Sequence, residues 1–283
     1  MAYECFDVTI DNQIAHLVLN RPEKRNSMTP AFWQELPEII EDIDNNARAR
    51  VIVISATGPA FSAGMDLAVF ANDDALTDDS DAGKVRARLQ HGARFHDTAS
   101  YFQHSFSCLE NCRIPVIAAI QGACVGGGVD FVTACDMRFA TEDAFLSIFE
   151  INIGMTADDG TFPRLVKLIP EGIVRELAYT GRRISAAEAQ SVGLVNRVFE
   201  DHDSLIEAVM ALAAEIASKP PLAVYGCKRM INYSRDHSTA DGLDYIGVWN
   251  AAMLLPAEMA EAMQANAEKR PGKFADLPVR RSR

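Results

Sequence analysis

The chain has 283 residues, 48% of them hydrophobic and 23% charged, with a formal net charge of -12. That length and balance suit a soluble globular protein of one large domain, or one domain with an appendage. The negative charge argues against nucleic-acid backbones and anionic membrane surfaces as partners, since both call for a basic patch, but it leaves room for a small anion met by a local cationic rim.

The N-terminus, MAYECFDVTI, lacks the apolar segment of a secretory signal and the arginines of a transit peptide. No apolar run reaches the ~18 residues of a membrane span, and the terminal VRRSR is not an SKL-type address. A cytoplasmic protein is therefore expected. The six cysteines (5, 108, 112, 124, 135 and 227) form no CxxC pair and read as buried free thiols in a reducing compartment.

Tyr3–Ile10 and Ile14–Leu19 predict a hairpin. Thr29-Pro30 marks a helix start, and Phe32, Leu36, Ile39, Ile40 and Ile43 keep a helical period to about Asn46. Val51–Ser55 predicts a buried strand running into a loop of small residues, Gly58–Asp66. The segment Asn72–Asp81 holds five aspartates in ten residues and reads as a mobile solvated loop. Lys84–Asn111 predicts a long amphipathic helix whose histidines lack a metal-ligand spacing. Pro115–Ile120 predicts a third strong strand. After Gly126-Gly127-Gly128 come a short buried helix (Val129–Ala134) and strands at Asp136–Ala140 and Phe145–Ile148. Thr161 can cap a helix that has Pro163 in its first turn and runs to about Ile169, followed by another over Glu171–Thr180. Ser185–Val198 reads as helix, Gly193, strand. Beyond Glu200 only helices remain: Asp203–Ser218, Leu222–Tyr233 and roughly Ala240–Glu268. The order predicts an α/β core over residues 1–200 and a helical region over 201–283 that serves as lid or assembly element.

Two small-residue loops, Phe61–Leu67 and Gly122–Gly128, follow two buried strands. If the loops are neighbours, Met65 and Gly127 can each turn a backbone N–H toward one carbonyl oxygen, and Gly127 adds the start of a helix. The plain alternative is that the glycines only permit tight turns. Three carboxylates, Asp130, Glu150 and Asp158, sit among apolar or small residues, where a charge is costly without a task or a partner. They suit acid/base chemistry beside an anion-stabilising N–H pair. They also suit plainer roles: a charge at a helix start, a strand-end carboxylate, and, for Asp158 with Asp159, a cap.

The stretches LNRPEKRNSM (Leu19–Met28), FSAGMDL (Phe61–Leu67), PVIAAIQGACVGGGVD (Pro115–Asp130) and CDMRFATEDAF (Cys135–Phe145) resemble the signatures of the enoyl-CoA hydratase/isomerase, or crotonase, family over nearly the whole chain. The resemblance implies a spiral of repeated β-β-α units and an acyl-CoA thioester substrate bound around Ala63, Gly64, Asp66 and Leu67. It implies a thioester oxygen held by the N–H groups of Met65 and Gly127, and a homotrimer or dimer of trimers. It implies no cofactor beyond the CoA of the substrate and no metal. Hydratases of the family carry glutamates at the positions of Asp130 and Glu150 and a glycine at that of Asp158. An aspartate in GMTADDG instead resembles the Δ3,5-Δ2,4-dienoyl-CoA isomerases, as does the tail Tyr233–Leu254.

That subgroup moves a proton from C2 to C6 of a 3,5-dienoyl-CoA, giving the 2,4-dienoyl form. Two carboxylates, one at each end of the diene, can act as base and acid without moving. The expectation is that Asp158 takes the C2 proton, Glu150 delivers one at C6, and Asp130 tunes the pair. The residues 72–81 and the following helix are expected to line the acyl tunnel. The competing readings are a 2-enoyl-CoA hydratase and a non-catalytic, RNA-binding relative.

Overall fold

The computed structural model describes residues 3–66 and 81–280. Leu67 and residues 72–80 of the expected polar loop lie outside the described residues. Strands β1 (Phe6–Asp11) and β2 (Ile14–Leu19) form the expected hairpin, and helix α1 (Pro30–Asn45) follows. From β3 (Val51–Ala56) onward the chain repeats one manoeuvre. It lays a long strand in a first sheet and then a short strand in a second. The pairs are β3 with β4 (Ala60–Ser62), β5 (Val116–Ile120) with β6 (Ala123–Val125), and β7 (Met137–Thr141) with β8 (Phe145–Ser147). Helix α2 (Asp81–Asn111) separates the first pair from the second, and α3 (Gly127–Thr133) the second from the third.

The result is a six-stranded sheet, β1-β2-β3-β5-β7-β10, and a four-stranded one, β4-β6-β8-β9, with β9 at Ile184–Ser185 and β10 at Arg197–Phe199. Strands β3, β5, β7 and β10 run parallel, as do β4, β6 and β8. This is the predicted spiral. The second sheet was largely missed, because three-residue strands such as Ala123–Val125 carry too little pattern to stand apart from a loop.

Strand β3 shows why the large sheet is buried on both faces. Alternate side chains point to opposite sides. Ile52 and Ile54 enter the main core with Phe32, Leu36, Phe61, Phe106 and Phe131, whereas Val51 and Val53 meet Leu205 and Val209 of α7 (His202–Ala217). An uninterrupted apolar strand is what a parallel sheet covered on both sides requires.

Between the sheets and α7 run α4 (Thr161–Leu165), α5 (Glu171–Thr180) and α6 (Ala186–Ser191). The rest is helical: α8 (Pro221–Asp236), α9 (Thr239–Met253) and α10 (Pro256–Glu268). One long helix was expected over Ala240–Glu268. It breaks before Pro256, which lacks an N–H and disfavours helical geometry in the residue before it. Helix α2 is amphipathic only toward its end. Phe106 and Leu109 are buried there, but Val85, Leu89 and Phe95 lie exposed. Among the described residues no helix is long and apolar enough to cross a membrane. The cysteines are free thiols, and Cys227 is exposed where a buried thiol was expected.

Candidate active site

The loop carrying Met65 is clamped by the segment before α1. Met28 N–H donates to Gly64 O at 2.8 Å, Ala63 N–H to Arg25 O at 2.9 Å, and Asp66 N–H to Met28 O at 3.0 Å. Buried Asn26 spans the clamp, its side-chain amide donating to Thr57 O and Ala60 O. Ser62 Oγ donates to Asn26 O and accepts from Gly64 N–H. The stretch from Leu19 to Met28 thus holds the stretch from Phe61 to Asp66 in place.

The second loop arrives through β6. Gly126 N–H donates to Ser147 O at 3.0 Å, and Gly127 opens α3. The two loops touch. A Cβ on Gly64, whose φ is +84°, would stand 2.7 Å from Val125 O, closer than real side chains come, and 3.1 Å from Gly127 N. A Cβ on Gly127 would stand 3.7 Å from Met65 N. Met65 N–H and Gly127 N–H are therefore neighbours, and among the described residues neither is taken up by a backbone hydrogen bond.

Both line a pocket of about 200 Å³ with Ala63, Gly64, Val125, Gly126, Phe149, Glu150, Ile153, Met155, Asp158 and Asp159. Of the residues expected around the thioester, Ala63 and Gly64 line it. Asp66 stands aside, accepting from Ser27 Oγ at 3.2 Å.

Each carboxylate has its own setting. Asp130, in the first turn of α3, is 1% exposed, and its Oδ1 accepts the Thr161 N–H at 2.6 Å. Burial pushes it up to about 6, against the Thr161 hydrogen bonds and the charge of Arg164. It supplies the cap that Thr161 or Asp158 was expected to give α4, reaching in from another element. The N-cap residue itself is Gly160.

Glu150 lies on the short 3-10 helix Phe149–Ile153 rather than at a strand end. Its Oε1 lies against Gly126, where an added Cβ would meet it at 3.2 Å, and its Oε2 is buried without a partner among the described residues. Burial first, then the charges of Asp130 and Asp158, push Glu150 up to about 7. Asp158 is half-buried and is raised by burial. Its backbone carbonyl accepts from Gln103 Nε2 of α2 at 2.7 Å, which pins its loop.

Asp159 was missed as a pocket residue, since the doublet with Asp158 read as a capping pair. It is 5% exposed and its Oδ1 is buried without a partner among the described residues. Phe149, Ile153 and Met155 were missed too, because an apolar residue in a short loop carries no signal of which cavity it faces.

The family model for enoyl-CoA hydratase/isomerase matches residues 9–277. The chain belongs to the enoyl-CoA hydratase/isomerase family. It is 44% identical over 270 residues (95% of this chain, 81% of the relative) to a mitochondrial Delta(3,5)-Delta(2,4)-dienoyl-CoA isomerase of Mus musculus. It is 40% identical over 267 residues (94% of each) to the peroxisomal enzyme of that name in Arabidopsis thaliana. A crystal structure of an enoyl-CoA hydratase from Bacillus anthracis superposes with a TM-score of 0.84 at 31% identity, covering 96% of this chain and 99% of that one.

The relatives' names overturn the cytoplasmic expectation, because they are mitochondrial and peroxisomal proteins. The physical reason is plain: an address is a short segment read by a receptor, and the packing of a folded core carries no trace of it.

Proposed function

We propose that the chain isomerises 3,5-dienoyl-CoA to 2,4-dienoyl-CoA by a two-carboxyl proton transfer. The observation that carries this reading is the pairing of unlike acids in one pocket. Glu150 is pushed up to about 7, so much of it is protonated at neutral pH, while the less deeply set Asp158 is raised by burial alone, against a backbone hydrogen bond that favours its ionised form. A base must start ionised and an acid protonated, so Asp158 takes the C2 proton and Glu150 delivers a proton at C6. The thioester oxygen gains negative charge as C2 loses its proton. The Met65 and Gly127 N–H groups receive it, worth ~3 kcal/mol of barrier for each donor. Asp130 is not among the residues that line the pocket. Its charge acts on Glu150 and helps hold that proton.

The exchange is redox neutral, and no cofactor takes part beyond the CoA of the substrate. Phe149 and Ile153 offer an apolar rim for the acyl chain. Residues 1–200 hold the site and residues 201–283 serve assembly. The exposed Leu243, Ile246, Met253, Leu254, Leu255 and Met263 of α9, α10 and the link between them give copies of the chain, as a trimer or dimer of trimers, an apolar face to share.

The test is an absorbance assay with a 3,5-dienoyl-CoA, following the conjugated 2,4-dienoyl product, beside a hydration assay with a 2-enoyl-CoA. Fast isomerisation with little hydration supports the reading. Fast hydration without isomerisation makes the chain a hydratase and leaves Asp158 outside the chemistry.

A further inference from the structure

The two-carboxyl reaction leaves a debt of one proton on the wrong side. After each turnover Asp158 carries the proton taken from C2, and Glu150 has lost its own. The next molecule of substrate needs Asp158 ionised and Glu150 protonated again.

We propose that Asp159 is the positioning residue that resets the pair, relaying the proton from Asp158 back to Glu150. Asp159 follows Asp158 in the chain and lines the same pocket as Glu150. Its carboxyl is nearly sealed from solvent, yet among the described residues Oδ1 has no hydrogen-bond partner, a costly state for a buried polar atom unless it is used. Glu150 Oε2 is buried and unpartnered in the same way. Asp130 is a poorer relay, because its Oδ1 is held by the Thr161 N–H. The loop that carries Asp159 is fixed. Arg164 Nη1 donates to Asp159 O at 3.3 Å, while its Nε and Nη2 bind Glu110 and Ser107 of α2. The guanidinium is engaged by those groups and does not pair with the Asp159 carboxyl.

A relay of this kind must be neutral at rest. Burial first, then the charges of Asp130, Asp158 and Glu150, push Asp159 up to about 8, so it keeps its proton at neutral pH. The transfer balances. Asp158 gives its proton to one Asp159 oxygen as the proton on the other Asp159 oxygen passes to Glu150. Asp159 is neutral before and after, and one proton has moved from Asp158 to Glu150.

The inference rests on the proposed isomerase activity, and the experiment separates the two. Rapid mixing of the wild-type chain and Asp159→Asn with 3,5-dienoyl-CoA at neutral pH resolves the first turnover from later ones. Asparagine is similar in shape and uncharged, like the protonated aspartic acid. The expected result is a first turnover preserved within about twofold in Asp159→Asn, followed by a steady state slowed ~10-fold or more, which small carboxylic-acid buffers restore in a concentration-dependent way. The wild-type chain shows no such burst and no buffer dependence. Equal slowing of both phases, or no slowing of either, overturns the relay while leaving the isomerase reading intact. A wild-type chain that does not isomerise the substrate overturns both. Asp159→Ser repeats the burst measurement should the asparagine variant fold poorly.

Discussion

Around Asp44 and Asp136 the buried charges meet opposite ones, and around Glu150 they do not. Asp44 pairs with Arg113 at 2.7 Å and with Arg280 at 3.1 Å. Lys228 pairs with Asp136 at 2.9 Å and also donates to Leu109 O and Ile114 O. Around the pocket, Asp158 raises the proton affinity of Asp130, both raise that of Glu150, and all three raise that of Asp159, while among the described residues Glu150 and Asp159 each keep a buried oxygen without a partner. A paired buried charge has its partner supplied by the fold. An unpaired acid is maintained at a cost to stability, and such groups gather where chemistry is done. Size does not make this distinction. A hollow of about 1070 Å³ opens beside Asp44, His104, Cys112 and Arg280, but Asp44 there is already held by two arginines.

The sharpest way to break the comparison is to neutralise the unpaired acids. Glu150→Gln and Asp158→Asn should each lower kcat for 3,5-dienoyl-CoA by ~100- to 10,000-fold with little change in thermal stability. Activity retained by either variant would sink the two-carboxyl scheme. Next in size is Gly126→Ala. The position has φ +56°, and the new methyl would press on Glu150 Oε1. A loss on the order of 100-fold in kcat is expected from the displaced acid, with KM less affected.

Lys228→Met probes the paired side. It strips Asp136 and two carbonyls of a buried cation, and denaturant titration should show a loss of about 3 kcal/mol while the folded fraction keeps its kcat. A large loss of activity without a loss of stability would erase the contrast.

The gentlest test is pH. Asp130, Glu150 and Asp159 sit at about 6, 7 and 8 in the folded chain, against roughly 4 for unfolded carboxyls. The folded state thus binds more protons than the unfolded state between about pH 4 and about pH 8, and these groups make stability fall as pH rises through that window. Glu150→Gln and Asp159→Asn should each flatten that slope in unfolding titrations, and Lys228→Met should leave it unchanged.

Much of this architecture was legible beforehand. Apolar periodicity placed β1, β2, β3, β5 and α1, and the span of α5 was read correctly to the residue. The pairing of Met65 with Gly127 stayed open on the loops alone, since glycines also serve tight turns, and was legible only through the family resemblance. Asp158 was legible as a candidate from its surroundings, but only the family resemblance set it apart from a cap, since a carboxylate before a helix looks like one. Asp159 escaped both routes.

The residues alone determined the alternation of apolar strands with helices, the glycines at Gly64 and Gly126, and which carboxylates sit in apolar surroundings. These are local properties, fixed by side-chain period and by the absence of a Cβ. The tertiary structure decided which loops touch, that Asp130 rather than a neighbour of Thr161 accepts the Thr161 N–H, and that Asp159 faces the same pocket as Glu150. Those outcomes depend on the spiral that brings residues tens of positions apart into one cavity, where burial, and not residue type, sets what each acid can do.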